Sequence, residues 1–181
     1  MLQIQIAAAR FFNEQTEEYV NAPAAMLRLE HSLISISKWE SKWHKSFLAS
    51  EGLTREEFLD YVRCMSLDRD PDPLVLSRIG NKEIKLILDY IHEPMTATTF
   101  SNVKDNGRRG QIVTSELIYY SMFKAGIPIE CEKWHLNRLM TLIRICAIKD
   151  NPKGNKMNKA ESARARAAVN EARRKRLGSK G

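Results

Sequence analysis

The stretch TREEFLDYVRCM, residues 54–65, predicts an amphipathic helix and is the clearest sign of a mainly helical fold. Thr54 and Glu57 have the spacing of a capping box, in which each side chain bonds to the backbone N–H of the other residue at a helix start. The apolar residues behind the box repeat at intervals of three and four, which places them on one helix face. They are Phe58, Tyr61, Val62 and Met65. Such a face must pack against other elements, so the stretch also predicts a core around it.

The helical period extends upstream of this stretch. Aromatic residues recur every four positions at Trp39, Trp43 and Phe47. Ser37 and Glu40 have the spacing of a second capping box, so a helix is expected over 37–48. Lysines fill the positions between the tryptophans, and this composition favours an amphipathic helix that buries its aromatic face. A surface that stacks nucleic-acid bases is the alternative for the same pattern.

Two more helices are expected directly downstream. The breaker Asp-Pro-Asp-Pro, residues 70–73, can start a short helix that closes at Gly80. Asn81 can cap the next helix, which Pro94 ends. The expected buried stripe of this second helix is Ile84, Ile87, Leu88 and Ile91.

A loop is expected between these helices and the last pair. Residues 95–111 show no helical or strand period and contain an Asn-Gly pair, so we expect the most mobile segment of the body there. Thr114 or Ser115 can then cap a helix, and Gly126 with Pro128 forms a stop signal.

The stretch IPIECEKWHLNRLMTLIRIC, residues 127–146, raises the question of a chemical site. On a helix Cys131 and His135 would stand at i and i+4, on one face and close enough to meet, and a helix is expected over about 132–149. A structural zinc site needs about four ligands in paired clusters, and a nucleophile needs a base and a third orienting group. Neither set is present in the sequence, so we expect packing, with Cys146 as a small apolar core residue and with no catalytic residue, metal or cofactor.

The N-terminal segment has the period of a β-strand. Leu2, Ile4 and Ile6 alternate with glutamines, and a second alternation follows at 26–30. The polar run at 13–17 lies between two apolar pairs and is typical of a hairpin tip. We therefore expect an antiparallel hairpin over 2–31 whose apolar face lies on the helices.

Charge divides the chain into a body and a tail. The net charge of the protein is +7, yet residues 151–181 hold ten Lys and Arg against two Glu, which leaves residues 1–150 at −1. We expect a helical body over 1–150 and a basic tail over 151–181 that is flexible or partly helical and meets acidic groups or nucleic acid. The tail arginines and lysine singled out for such contacts are Arg164, Arg166, Arg173, Arg174, Lys175 and Arg176.

Cysteine usage indicates a reducing compartment, and hydropathy gives no sign of a membrane span. The three cysteines are odd in number and widely spaced, which argues against a disulfide framework. The first residues lack the pattern of a signal peptide, and no apolar run approaches the length of a membrane span. We expect a cytoplasmic protein without a membrane partner.

Nucleic-acid binding is the main alternative that the motifs leave open. The two helices around Gly126 have the order of a helix-turn-helix pair. The polar side chains available to contact bases are Asn137, Arg138, Thr141 and Arg144. Large apolar residues crowd these four positions, which weakens the interpretation, although the basic tail alone could hold nucleic acid without sequence preference.

Several blocks of the chain, in this order, resemble the tail assembly chaperones of tailed phages from actinobacteria and related hosts. The blocks are LRLEHSLISISKWESKWHKSFL, EFLDYVRCMSL, MTATTF, TSELIYYSMFKAGIPIECEKWHLNRLMTLIRIC and MNKAESARARAAVNEARRKRLGSKG. They cover most of the chain, and none of them is a catalytic signature. Ser121 stands where relatives carry a bulky aromatic residue after the tyrosine pair.

The resemblance implies a helper protein of the host cytoplasm that binds the long tape measure protein and keeps it soluble until the tail tube assembles. Proteins of this type are often made in two lengths by ribosomal frameshifting. A helical client needs only an apolar groove with a polar rim, and the aromatic stripe together with the apolar helices over 114–149 offers more apolar surface than one small core requires. The residues expected to contact a partner are Trp39, Trp43, Phe47, Tyr119, Tyr120 and Trp134. Self-association is a further possibility.

Overall fold

A computed structural model describes residues 1–13, 17–68, 71–100 and 112–150, together with position 167. Within this part the chain forms four strands, six α-helices and one 3-10 helix. The strands are β1 (Leu2–Ile6), β2 (Ala9–Asn13), β3 (Glu18–Ala22) and β4 (Ala25–Leu29). The helices are α1 (Leu33–Trp43), α2 (Arg55–Met65), α3 (Pro73–Ser77), α4 (Asn81–His92), α5 (Ser115–Lys124) and α6 (Leu136–Asp150), and the 3-10 helix spans Ile129–Lys133. The expected mainly helical fold with a small antiparallel component is confirmed.

The N-terminal hairpin is confirmed, and it is interrupted once. β1 pairs with β4 from Leu2↔Leu29 onward, and β2 pairs with β3 in the same continuous register, so the four strands form one long hairpin. The interruption falls where Pro23, which has no N–H, follows β3. Nη1 of Arg78 donates across the break to the carbonyl oxygens of Ala7 at 2.6 Å and Pro23 at 3.0 Å. A side chain of the helical body thus replaces the missing strand hydrogen bonds.

The inner half of the hairpin, β1 with β4, forms one wall of the core. Alternate side chains are buried in both strands, as expected for a sheet covered on one face. They are Ile4, Ile6, Leu27 and Leu29. The rest of the core comes mainly from α1 and α2, with two buried residues each from α4, α5 and the first turns of α6, and it includes the fully buried Trp39, Tyr61 and Ile87.

The first helix is shifted relative to its prediction. Ser32, not Ser37, caps α1 by accepting from the Ser35 N–H, and His44 ends it in the left-handed region at φ 52°. The expected helix over 37–48 is therefore wrong at both ends, and its capping box does not form. Helix propensity alone could not show the change of direction after Trp43.

The second helix follows its prediction closely. The Thr54 N–H donates to Oε2 of Glu57 at 2.8 Å, and the Glu57 N–H donates to Oγ1 of Thr54 at 3.2 Å, so the capping box is confirmed. Pro73 lies in the first turn of α3 as expected. Gly80 rather than Asn81 is the N-cap of α4. Leu88 of the expected stripe is exposed, because the buried face of α4 turns toward Ile87 and Tyr90.

The segment 127–146 differs most from expectation. A 3-10 helix over Ile129–Lys133 is followed by extended backbone at Trp134, and α6 begins only at Leu136. Cys131 and His135 therefore do not share a helix face. Of the side chains of α6, only Leu136 and Leu139 are buried, and Cys146 is half-buried, so the helix is less enclosed than its apolar content predicts.

No helix among the described residues is both long and apolar enough to cross a membrane. The expected loop over 95–111 lies mostly, and the basic tail almost wholly, outside the described residues. The division into a body and a tail stays a prediction.

Candidate partner-binding groove

The three aromatic residues of the expected partner stripe lie together but face inward. Trp39 is 0% exposed, and its Nε1 donates to the backbone oxygen of Glu57 at 2.9 Å. Trp43 is half-buried beside it and donates to Oδ2 of Asp60 at 2.8 Å. Phe47 lies beyond the helix, with its ring centroid 3.9 Å from that of Tyr61. Trp39 therefore belongs to the core and has no free surface in this structure, whereas Trp43 and Phe47 are half-buried against the core.

An apolar groove lies instead between α5 and α6. It has a volume of about 590 Å³. Its apolar lining is Val113, Leu117, Ile118, Tyr120, Ala125, Met140, Ile143 and Ala147, and its polar lining is Ser121, Lys124 and Asp150. We call this surface the α5–α6 groove.

The lining residues recur at helical intervals on both sides. Leu117, Tyr120 and Lys124 form a stripe on α5, and Met140, Ile143 and Ala147 form the facing stripe on α6. Tyr120 is 61% exposed and Met140 is partly open to solvent, so the groove is apolar surface that the described residues leave uncovered. At 1.5 Å per residue, the stripe from Met140 to Asp150 is about 15 Å long, which matches roughly three turns of a bound helix.

A buried carboxylate fixes the start of α5. Thr114 is the N-cap of this helix, but its side chain makes no capping bond. Oε2 of Glu40, from α1, accepts the Ser115 N–H at 2.7 Å instead, and Oε1 accepts the Phe47 N–H at 2.9 Å. Glu40 therefore joins α1, the segment after it and α5 through two charge-assisted hydrogen bonds.

The turn after α5 positions the other wall of the groove. Gly126 is in the left-handed region at φ 65°, and the Ile127 N–H donates to the Met122 oxygen at 3.0 Å, as in a Schellman motif. Oη of Tyr119 donates to Oε2 of Glu132 at 2.7 Å, which ties α5 to the 3-10 helix. Burial and this carboxylate both raise the pKa of Tyr119, so its hydroxyl stays protonated.

The structure separates the remaining expected partner residues. Tyr120 lines the groove, whereas Tyr119 is held against Glu132. Trp134 is half-buried, and the guanidinium of Arg138 lies 4.2 Å from its ring centroid. The α6 side of the groove, Met140, Ile143 and Ala147, was missing from the expected set, because the sequence predicted that α6 was buried all round.

A buried histidine cluster joins the start of α1 to the start of α6. Nδ1 of His31 lies 2.5 Å from Oη of Tyr61, and the rings of His31 and His135 are 5.1 Å apart. The Asn137 N–H donates to Nδ1 of His135 at 3.3 Å, so Nε2 carries the ring proton and donates to the Tyr90 oxygen at 3.0 Å. Burial lowers the pKa of His31 to about 3 and also lowers that of His135. Both rings are neutral structural groups, and sequence reasoning missed the role of His31 because a lone histidine before a helix carries no distinctive pattern.

The four side chains of the expected helix-turn-helix interpretation are already engaged. Nδ2 of Asn137 donates to the oxygens of Ile91 at 3.0 Å and Glu93 at 2.8 Å. Thr141 bonds to the Asn137 oxygen, Arg138 stacks on Trp134 and Arg144 stacks on Phe100. These contacts weigh against a role of α6 in reading base edges.

No group of three or more His, Cys, Asp or Glu side chains within the described ranges could hold a metal ion. We expect a chelator to leave the melting temperature unchanged, because Cys131 is buried by packing and His135 is bonded to the Tyr90 oxygen. Thermal unfolding with and without EDTA measures this. A stoichiometric metal found by elemental analysis of the purified protein would contradict the expectation.

Comparison with known proteins adds no relative. No protein-family model matches the chain, and no curated protein or solved structure is significantly similar to it.

Proposed function

We propose that this protein is a tail assembly chaperone of a tailed phage, which binds an amphipathic helical segment of the tape measure protein in the α5–α6 groove. The observation that carries the proposal is the groove itself, an apolar cleft with aligned helical stripes on both walls. Helix-in-groove recognition uses apolar anchors at intervals of three and four residues, and the spacing of Leu117, Tyr120 and Lys124 against Met140, Ile143 and Ala147 suits such anchors. The resemblance of the sequence blocks supplies the identity of the client.

The charged residues in the groove lining suit a client helix with polar side chains beside its apolar stripe. Lys124 and Asp150 belong to the lining, so each can pair with a side chain of opposite charge that flanks the client's apolar stripe. The basic tail would add affinity through acidic groups of the client. Rim charges of this kind steer association more than they strengthen it, so the apolar floor should carry most of the affinity.

The decisive experiment is co-expression with the tape measure protein encoded in the same genome. The wild-type protein should keep that client soluble. Tyr120→Glu and Met140→Lys each place a charge in the groove and should raise the dissociation constant for the client by about tenfold, which corresponds to roughly 1.4 kcal/mol of binding free energy, and so lower the amount of soluble client. Leu86→Glu is the matched control, because it charges an exposed leucine on α4 and should leave the client soluble.

Two results would contradict the proposal. Equal loss with Leu86→Glu would place the effect outside the groove. No rescue of the client by the wild-type protein, together with retention of duplex DNA at physiological salt that disappears when residues 151–181 are removed, would favour the nucleic-acid alternative. Removal of the tail should leave part of the rescue intact if the groove binds the client.

A further inference from the structure

The outer half of the hairpin carries large apolar side chains in water. We call β2 with β3 the outer ribbon. Its strands pair only with each other among the described residues, and they expose Phe11, Phe12, Tyr19 and Val20 by 37–59%. A two-stranded ribbon is marginally stable in water unless further strands or a packing surface support it. The outer ribbon therefore has both the open edges and the apolar surface of an incomplete sheet.

Apolar groups occupy both faces of the outer ribbon. Phe11 stands opposite Val20 on one face. On the other face Phe12 stands opposite Tyr19, with ring centroids 5.1 Å apart. The guanidinium of Arg10 lies 4.2 Å from the Tyr19 ring centroid on this second face. A partner that extends the sheet would meet apolar rows on both sides.

We propose that the outer ribbon dimerises with a second copy of this chain, with β2 pairing antiparallel to β2 about a twofold axis at Phe11. This pairing builds a four-stranded sheet in the order β3, β2, β2 and β3. A sheet of four strands is stable in water where an isolated two-stranded ribbon is only marginally stable.

The sequence of β2 is complementary to itself in this register. Phe11 of one copy faces Phe11 of the other, and Arg10 faces Phe12, so the cation meets an aromatic ring and no like charges stand opposite each other. Ala9 faces Asn13 at the two ends. The Val20 and Phe11 side chains of both copies then form one apolar row across four strands.

The edge of β3 is a poorer choice for the same pairing. Ala22 at its end is buried by the body, and Pro23 after it has no N–H to donate. β2 has neither obstacle, since Arg10, Phe11 and Phe12 are all exposed.

The interface is small, and this sets the expected behaviour. One pair of five-residue strands covers less than the roughly 800 Å² per partner of a standard interface, so the dimer should be reversible and depend on protein concentration. It requires no client, and it stands or fails independently of the α5–α6 groove.

Sedimentation equilibrium of the full-length protein tests the proposal. Wild type should show a monomer–dimer equilibrium. Phe11→Lys and Phe11→Glu each place like charges face to face at the axis, so each should raise the dissociation constant at least ~10-fold. An equimolar mixture of the two variants should form a heterodimer, because opposite charges then meet. Leu86→Lys is the control and should dimerise like wild type, since it adds a lysine at an exposed position of α4, outside the ribbon.

Several outcomes would overturn the proposal. A wild-type protein that stays monomeric up to its solubility limit would do so without any variant. Dimers that persist in both Phe11 variants would place the interface elsewhere, and variants that are folded by circular dichroism and monomeric but do not pair in the mixture would exclude the twofold register at Phe11.

Discussion

Glu40→Ala is expected to lower the free energy of unfolding by about 3 kcal/mol. The substitution leaves the N–H groups of Phe47 and Ser115 without their carboxylate, and each unpaired buried donor costs about 1–3 kcal/mol. Removal of the buried charge returns part of this cost, so the expected loss is smaller than the sum. Urea unfolding followed by tryptophan fluorescence measures the change, since Trp39 lies in the core.

Two further variants define the effect of Glu40. Glu40→Gln keeps one acceptor oxygen and should lose about half as much stability. Glu51→Ala removes an exposed carboxylate in the segment between α1 and α2 and should change stability little. Equal stability of the Glu40→Ala and Glu51→Ala proteins would show that the buried carboxylate does not hold α5. Because Glu40 fixes the first turn of α5, Glu40→Ala should also weaken client rescue even where the protein remains folded.

Stability should fall as the pH is lowered from 7 to 5, by about 2 kcal/mol through His31 alone. Burial lowers the folded pKa of His31 to about 3, whereas the unfolded chain titrates near 6.5. Between these values the unfolded state binds the proton and the folded state does not, so the free energy of unfolding decreases with falling pH and levels off above about pH 7.5. His135, whose pKa is also lowered, acts in the same direction.

The histidines and the carboxylates affect stability in different pH ranges. Salt-bridge and backbone hydrogen bonds lower the pKa of Glu57, and Arg28 lowers that of Asp68, so these groups affect stability only below about pH 4.5. His31→Asn should therefore flatten the slope between pH 7 and 5, whatever its stability at pH 7. His44→Asn is the control, because His44 is exposed at a left-handed position that Asn tolerates, and the slope should remain. An unchanged slope in His31→Asn would contradict the assignment.

The parts of the fold that were predictable are those whose signals are local. The capping box of Thr54 and Glu57, the turn at Pro73 and the alternation of β1 and β4 each depend on residues close in sequence, and each is confirmed. The start of α1 at Ser32 is a local signal that the sequence analysis missed, whereas its end depended on contacts that a sequence does not display. Glu40 resembled a capping residue three positions from Ser37, but its carboxylate serves backbone groups of Phe47 and Ser115 instead.

A residue of only one wall of the groove was predicted from the sequence. Tyr120 was among the expected partner residues because the segment is rich in aromatic groups. The α6 wall was not, since a helix with apolar residues on most of its circumference is ordinarily buried on every side. Tertiary packing decides which of these apolar faces is covered, and here it leaves a cleft lined by α5 and α6. The histidine cluster could not be predicted, because its members are far apart in sequence and touch only after folding.

The hydrogen bonds of Arg78 across the hairpin break affect which changes of hairpin length the fold can tolerate. Strand register is the same on both sides of the break. One residue can therefore be added to, or removed from, each outer strand together, and the side chains of β1 and β4 keep the faces they have now. The carbonyls at the break are satisfied by a side chain of the body, not by the ribbon outside. A change of length in the outer ribbon should therefore leave the register and hydrogen bonds of β1 and β4 intact, so its effect would be confined to the proposed dimer contact.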